Sequence, residues 1–436
     1  MFSGNTGREV LSEEQIDLVH ERAMTVLEEI GTDVRHPQAL ELLTGLGQKV
    51  DGERVHWDRE FIMEMLAKAP PALQVGAERR PADLITCHQS GTVEAADLDE
   101  NTRHMDMDYS ILRYSDKPHV CYGTSGYKAR DAVALAAIAC GGREAIERTP
   151  ALLGVVNPNS PLVWDFLMVD ALTEWATAGQ PVVITPFLLA GATAPITIAS
   201  GLVLKVAEAL SGVALVQAIR AGSPVLFGSF FTAVDMRTGG PSFGTPESVL
   251  GTLAGGQLAR RYRLPYRGGG GLCSSNALDM AAAAETSMTL WATMMAGSHL
   301  VMHAAGWLEG GLTASYEKFA FDLELLRMFT TIDQGIETTD ERFAIETMRE
   351  EGPGGMFLAA GHTLDHFREW MFMSPLFRSQ AYVTWQKQGS LTADRLATAE
   401  WKALLERYED PGIDDAVDEE LREYMARRRA EIGTAA

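Results

Sequence analysis

From residue 117 onward, short apolar runs alternate with helical stretches, and that alternation leaves few folds open. The runs lie at 117–123, 151–157, 181–187, 224–231, 265–270 and 298–305. Helical stretches follow the first five, at 129–139, 162–177, 196–220, 246–262 and 277–296. Apolar runs without alternation suit strands covered on both faces, so the spacing predicts a parallel sheet of βα units. Six units are clear, and eight would close a barrel. A seventh fits after Gly311. The eighth should precede Lys117, but 93–114 is too short for a strand and a helix.

The informative stretch is 265–324. It reads as a strand, the glycines Gly268 to Gly271, a helix at 277–296, the strand 298–305, and a second glycine-rich loop through Gly306, Gly310 and Gly311. That helix carries only Asp279 and Glu285 as charges, so it is expected to be pressed on both sides. His303 falls near the carboxyl end of a strand, where side chains in βα folds meet substrate.

Residues 1–115 read differently. Ser12 and Gln15 form a capping box before an amphipathic helix, with Gly31 as its stop. A second helix follows at 38–46, Asp51-Gly52 marks a tight hairpin, and a third helix covers 59–68. The expected organisation is an α+β extension over 1–115, an α/β barrel over 116–390, and a tail of two charged amphipathic helices over 391–436. The tail reads as a surface or subunit-contact element of a homo-oligomer.

A formal charge of -22 over 436 residues argues against nucleic acid and favours, if anything, a cationic ligand. Four dispersed cysteines (Cys87, Cys121, Cys140, Cys273) show no CxxC or Cys/His cluster, so disulfides and a closed zinc site are not expected. With no leader pattern and no uncharged run of about 18 apolar residues, the expectation is a cytoplasmic protein with no membrane partner.

Several uncommon motifs in order carry a resemblance. They are Thr185-Pro186-Phe187 with Gly191 to Thr197, Asp235-Met236-Arg237-Thr238-Gly239, Gly244-Thr245-Pro246-Glu247, His303 to Gly311, and Gly361-His362-Thr363. Over nearly the whole chain these resemble the trimethylamine methyltransferase family. The resemblance implies a TIM (β/α)8 barrel and transfer of a methyl group from a methylated amine to the cobalt of a corrinoid (cobalamin-type) cofactor on a separate protein. Its founding branch carries pyrrolysine; this chain has only standard residues and so resembles the branch acting on glycine betaine and related quaternary amines. Family members usually hold a further strand and helix before Ser115-Asp116-Lys117-Pro118. Its absence here predicts a missing segment of tens of residues near Arg103 and His104, seen as a break between them.

That resemblance directs the site expectations. A quaternary ammonium is already cationic, so its methyl transfer needs no acid, only orientation, dryness and a surface that tolerates positive charge. Aromatic faces supply that, each contributing about 0.5–2 kcal/mol. Tyr122, Phe187, Phe230, Phe231, Trp307 and Phe357 are candidates, with core packing as the alternative for any one of them. His303 could bind a carboxylate or face the cobalt, or could be a core histidine. Asn276 could bind carboxylate or cap a helix. Gly269, Gly270 and Gly271 would admit the flat corrin, although turn geometry explains them equally well. Glu309 and Glu247 could stabilise the ammonium, with ion pairs to Arg237 or Lys318 as the bland reading, and Asp235 with Arg237 would order a loop. His362 and His366, at i and i+4, suit helix packing better than metal. No tightly bound metal is expected. The other functions open are a betaine-binding or sensing protein without turnover, transfer from carnitine or proline betaine, and a zinc methyltransferase, which would need a Cys/His cluster.

Overall fold

The structure is a computed structural model and describes residues 9–72, 97–121 and 123–435. Ser12 caps helix α1 (Glu13–Thr25) through a reciprocal bond pair with Gln15, as the capping box predicts. Strand β1 (Thr32–Val34), helix α2 (Pro37–Gly45), the hairpin β2 (Lys49–Asp51) and β3 (Arg54–His56), and α3 (Arg59–Lys68) follow. Gly52 turns the hairpin at φ 63°, a value its missing Cβ permits.

Strands β4 (His119–Cys121), β5 (Leu152–Val156), β6 (Val163–Trp164), β7 (Val182–Ile184), β8 (Phe187–Ala190), β9 (Val225–Gly228), β10 (Phe230–Val234), β11 (Pro241–Ser242), β12 (Tyr266–Gly269), β13 (Leu300–Met302), β14 (Trp307–Leu308) and β15 (Thr313–Ala314) make up the rest of the sheets. The helices among them are α4 (Arg103–Tyr114), α5 (Gly126–Ala139), α6 (Arg143–Arg148), α7 (Phe166–Thr177), α8 (Ile198–Ile219), α9 (Pro246–Arg261), α10 (Met280–Met295) and α11 (Tyr316–Asp333). Six strands form one parallel sheet in the order β13-β12-β9-β7-β5-β4, neighbours in sequence being neighbours in space. Val120 of one edge strand and Leu300 and Met302 of the other share one buried cluster with Leu153, Val155, Val183 and Leu226. The sheet therefore curls around its own apolar lining, as a barrel wall does.

Two expected strands are each two. The runs at 181–187 and 224–231 break at Thr185-Pro186 and at Ser229, and the continuations β8 and β10 pair with each other, β10 also taking β11 on its other side. This small second sheet extends the chain beyond the carboxyl ends of β7 and β9. The N-terminal extension joins the array through β6, which adds to β1 in parallel, and one hydrophobic cluster runs from Val19 to Ala296.

Two expectations change. α10 is covered on one side only: Leu290 and Thr293 are buried, while Met280, Met288 and Trp291 are exposed. Ala282, Thr286, Leu290, Ala292, Thr293 and Met294 make its buried face. The predicted break at Arg103/His104 is not there, because α4 runs unbroken through both residues. The tail helix α17 (Asp415–Ala435), the last after α12 (Asp340–Phe343), α13 (Ile345–Glu351), α14 (Gly361–Trp370), α15 (Tyr382–Lys387) and α16 (Ala393–Glu406), lies mostly at the surface and is tied to the array along one stripe. It buries Leu421 and Met425 against Met105 and Leu135, and Asp131 accepts from Tyr424 and Arg428. α8 is long and apolar enough to cross a membrane, but most of it lies inside the fold.

Candidate active site

At the carboxyl ends of β7, β9, β12 and β13 a set of rings converges. Phe187 and Phe230 are register partners across β8 and β10 and stack with centroids 4.7 Å apart. Phe243 meets Phe230 edge-on at 5.5 Å, His303 meets it at 6.2 Å, and Trp307 meets His303 at 5.8 Å. Leu272, after the glycine turn, completes the cluster. Strand geometry explains why these residues meet, since consecutive βα units of a parallel sheet bring their strand ends to one edge.

Beneath the rings lies a cation. Arg267 on β12 is 2% exposed; its guanidinium sits 5.7 Å from the Phe230 ring, and its Nη2 lies 3.2 Å from His303 Nδ1. Nη1 also reaches the Ser229 carbonyl at 3.4 Å. A guanidinium can only donate, so Nδ1 accepts and the imidazole proton resides on Nε2. Burial, reinforced by the Arg267 charge, pushes His303 down to about 3. The histidine is neutral across the physiological range, and it holds a left-handed φ of 58°, a strained backbone conformation. An aromatic wall over a buried guanidinium and a neutral imidazole can hold a small molecule that is positive at one end and negative at the other.

Both glycine loops are fastened from below. Lys318 Nζ donates to the Gly271 carbonyl at 3.0 Å and to Asp322, and Asp322 accepts from the Gly306 N–H at 2.9 Å. Both side chains are fully buried. Glu285 of α10 accepts from the Ser274 and Ser275 N–H groups, and Asp279 caps the same helix. The two charges on that otherwise uncharged helix thus both serve its ends and the loop beside it.

Of the proposed site residues, Phe187, Trp307 and His303 come together, with Phe230, Phe243 and Arg267 beside them. Phe231 does not join them: one residue along β10 it points to the opposite face, packing between α8 and α9 against Gly201 and Gly251 under Lys205. Gly269 faces the Phe230 ring, whereas a Cβ at Gly270 would meet Val301 and one at Gly271 the His303 and Ala304 carbonyls. Asn276 is an exposed loop residue, and the capping role falls to Asp279. Glu309 is exposed and accepts from Thr313 Oγ1 at 2.6 Å; the ion pairs foreseen for it go elsewhere, Arg237 to Asp235 and Lys318 to Asp322. Glu247 lies in the first turn of α9. Phe357 is 45% exposed in a short 3-10 turn and makes no ring contact with the cluster among the described residues. Tyr122 lies outside the described residues. His362 and His366 both pack on Trp370, His366 stacked at 3.7 Å. Arg267 escaped the sequence reading; the available signal was a lone charge inside an apolar strand.

The chain matches the family profile described as trimethylamine methyltransferase (MTTB) over residues 3–86 and 82–433. It is 34% identical to a glycine betaine methyltransferase of Desulfitobacterium hafniense (strain Y51) over 469 positions, covering 97% of this chain and 98% of that protein. It is 27% identical to a trimethylamine methyltransferase of D. hafniense (strain DSM 10664 / DCB-2), over 97% of this chain and 95% of that one. A proline betaine:corrinoid methyltransferase of Eubacterium limosum is 26% identical over 85% of this chain and 87% of its own length.

Proposed function

The chain belongs to the trimethylamine methyltransferase family, and from that premise we propose that it moves a methyl group from a quaternary amine to the reduced cobalt of a corrinoid borne by a separate protein. Glycine betaine is the substrate the site suits best. The observation that carries this reading is the Arg267–His303 pair beneath the Phe187, Phe230, Phe243 and Trp307 rings. Arg267 and the Nε2–H of His303 would hold the carboxylate, and the rings would face the trimethylammonium group. On transfer the nitrogen keeps the bonding pair and becomes a neutral tertiary amine, so that the product leaves as dimethylglycinate with its carboxylate still negative, while the methyl carbon takes a new pair from cobalt(I). No proton moves, so the chain has only to orient the methyl carbon, exclude water and tolerate the positive charge. We read the curled six-stranded sheet as the greater part of a TIM barrel, with Gly269 at its mouth the glycine best placed near an incoming corrin.

Mixing the protein with betaine and free cob(I)alamin should generate methylcobalamin absorbance, and carnitine, proline betaine and trimethylamine should be slower. Absence of product with the whole panel would remove the proposal. Calorimetric betaine binding without transfer would move the protein to a binding or sensing role.

A further inference from the structure

We propose that Asp108, His119 and Cys121 form a binding site for one zinc-class divalent metal ion, fastening helix α4 to the outer face of strand β4. Strand alternation sets the arrangement. Val120 points inward to the cluster lining the curled sheet. Its neighbours His119 and Cys121, two residues apart, therefore share the helix-facing side, where Asp108 of α4 meets them. His119 Nε2 lies 3.0 Å from Asp108 Oδ1, and Cys121 Sγ lies 3.8 Å from the same oxygen. The three ligand atoms all fall within 4.8 Å of one another, and all three residues are buried.

Ligand chemistry selects the metal class. One nitrogen, one sulfur and one carboxylate oxygen is a set that zinc or cobalt(II) accepts and that magnesium or calcium does not. Tetrahedral arms of about 2.0–2.3 Å span edges of about 3.3–3.6 Å, so the observed spacings of 3.0 and 3.8 Å need only small shifts to surround an ion. A fourth position remains for water. On binding, the Cys121 S–H proton is released to solvent and the His119 ring hydrogen that faces Asp108 moves from Nε2 to Nδ1, so that sulfur–metal and nitrogen–metal bonds form and the dication neutralises the thiolate and the carboxylate. Sequence spacing hid the site because its ligands come from a helix and a strand, with no Cys-x-x-Cys or His-x-x-x-His between them.

The test uses the full chain, stripped with a chelator and titrated with cobalt(II) and then zinc. One equivalent of cobalt should bind with the thiolate-to-cobalt charge-transfer band and tetrahedral visible bands, and zinc should displace it. Cys121→Ser should abolish the charge-transfer band, and His119→Ala should weaken metal binding at least tenfold, while Cys140→Ser leaves both unchanged. Wild-type protein that is folded by circular dichroism yet shows no thiolate–cobalt band and holds no zinc overturns the proposal. A band that persists in folded Cys121→Ser protein overturns it equally.

Discussion

Burial and the neighbouring Arg267 charge hold His303 in its neutral form, and that has measurable consequences. His303→Ala should reduce methyl transfer at least tenfold with circular dichroism unchanged. Arg267→Lys keeps the charge but loses the two-pronged donor, so KM for betaine should rise by about tenfold or more, in line with about 1.5–3 kcal/mol for a hydrogen bond to a charged group. Because His303 is driven from the ordinary 6.5 to about 3, the unfolded chain binds its proton first as pH falls. Stability from this residue is complete above pH 6.5 and lost progressively toward about 3, so the denaturant midpoint should drop across that window and drop less in His303→Ala. At this scale the sequence revealed His303, Phe187 and Trp307 through their places near strand ends. It could not separate Phe230 from Phe231, because a one-residue difference in register decides which face each takes. Arg267 was invisible for a related reason: a lone charge in an apolar run gives no sign of which way it points.

The βα array was legible as elements because buried parallel strands are continuous apolar runs, and α5, α7, α8 and α9 fall where the runs predict them. What the pattern could not carry was interruption. Pro186 has no N–H to give a ladder, and the break there lets β8 leave the line of β7. Nor did it show that Lys318 and Asp322, one turn apart on α11, are buried to tie down both glycine loops. Removing one partner leaves a buried charge unmatched, so Asp322→Asn should lower stability by about 3–5 kcal/mol in urea unfolding, and Lys318→Met with Asp322→Leu should restore most of it. An alanine at Gly271, φ 37°, would set its Cβ 2.5 Å from the Ala304 carbonyl oxygen; a lower melting temperature and slower transfer should appear together.

Over the whole molecule, β4 and β13 are the outermost strands of the six-stranded parallel sheet among the described residues. The expectation of a missing unit meets two facts. The family match divides at residues 82–86 rather than at Arg103, and the alignment to the betaine enzyme, at 469 positions, is longer than this chain. Sequence periodicity counts the units present and has no residues to read for any other. The acidic balance and the buried guanidinium also act together. A chain of net charge -22 gathers cations near its surface, but any that enters the ring cluster meets Arg267 below. Choline, with the same trimethylammonium head and an uncharged tail, would be drawn in and then repelled, and competition assays should find it at least tenfold weaker than betaine. Long-range attraction would recruit by sign, and one arginine would sort the arrivals by their dipole.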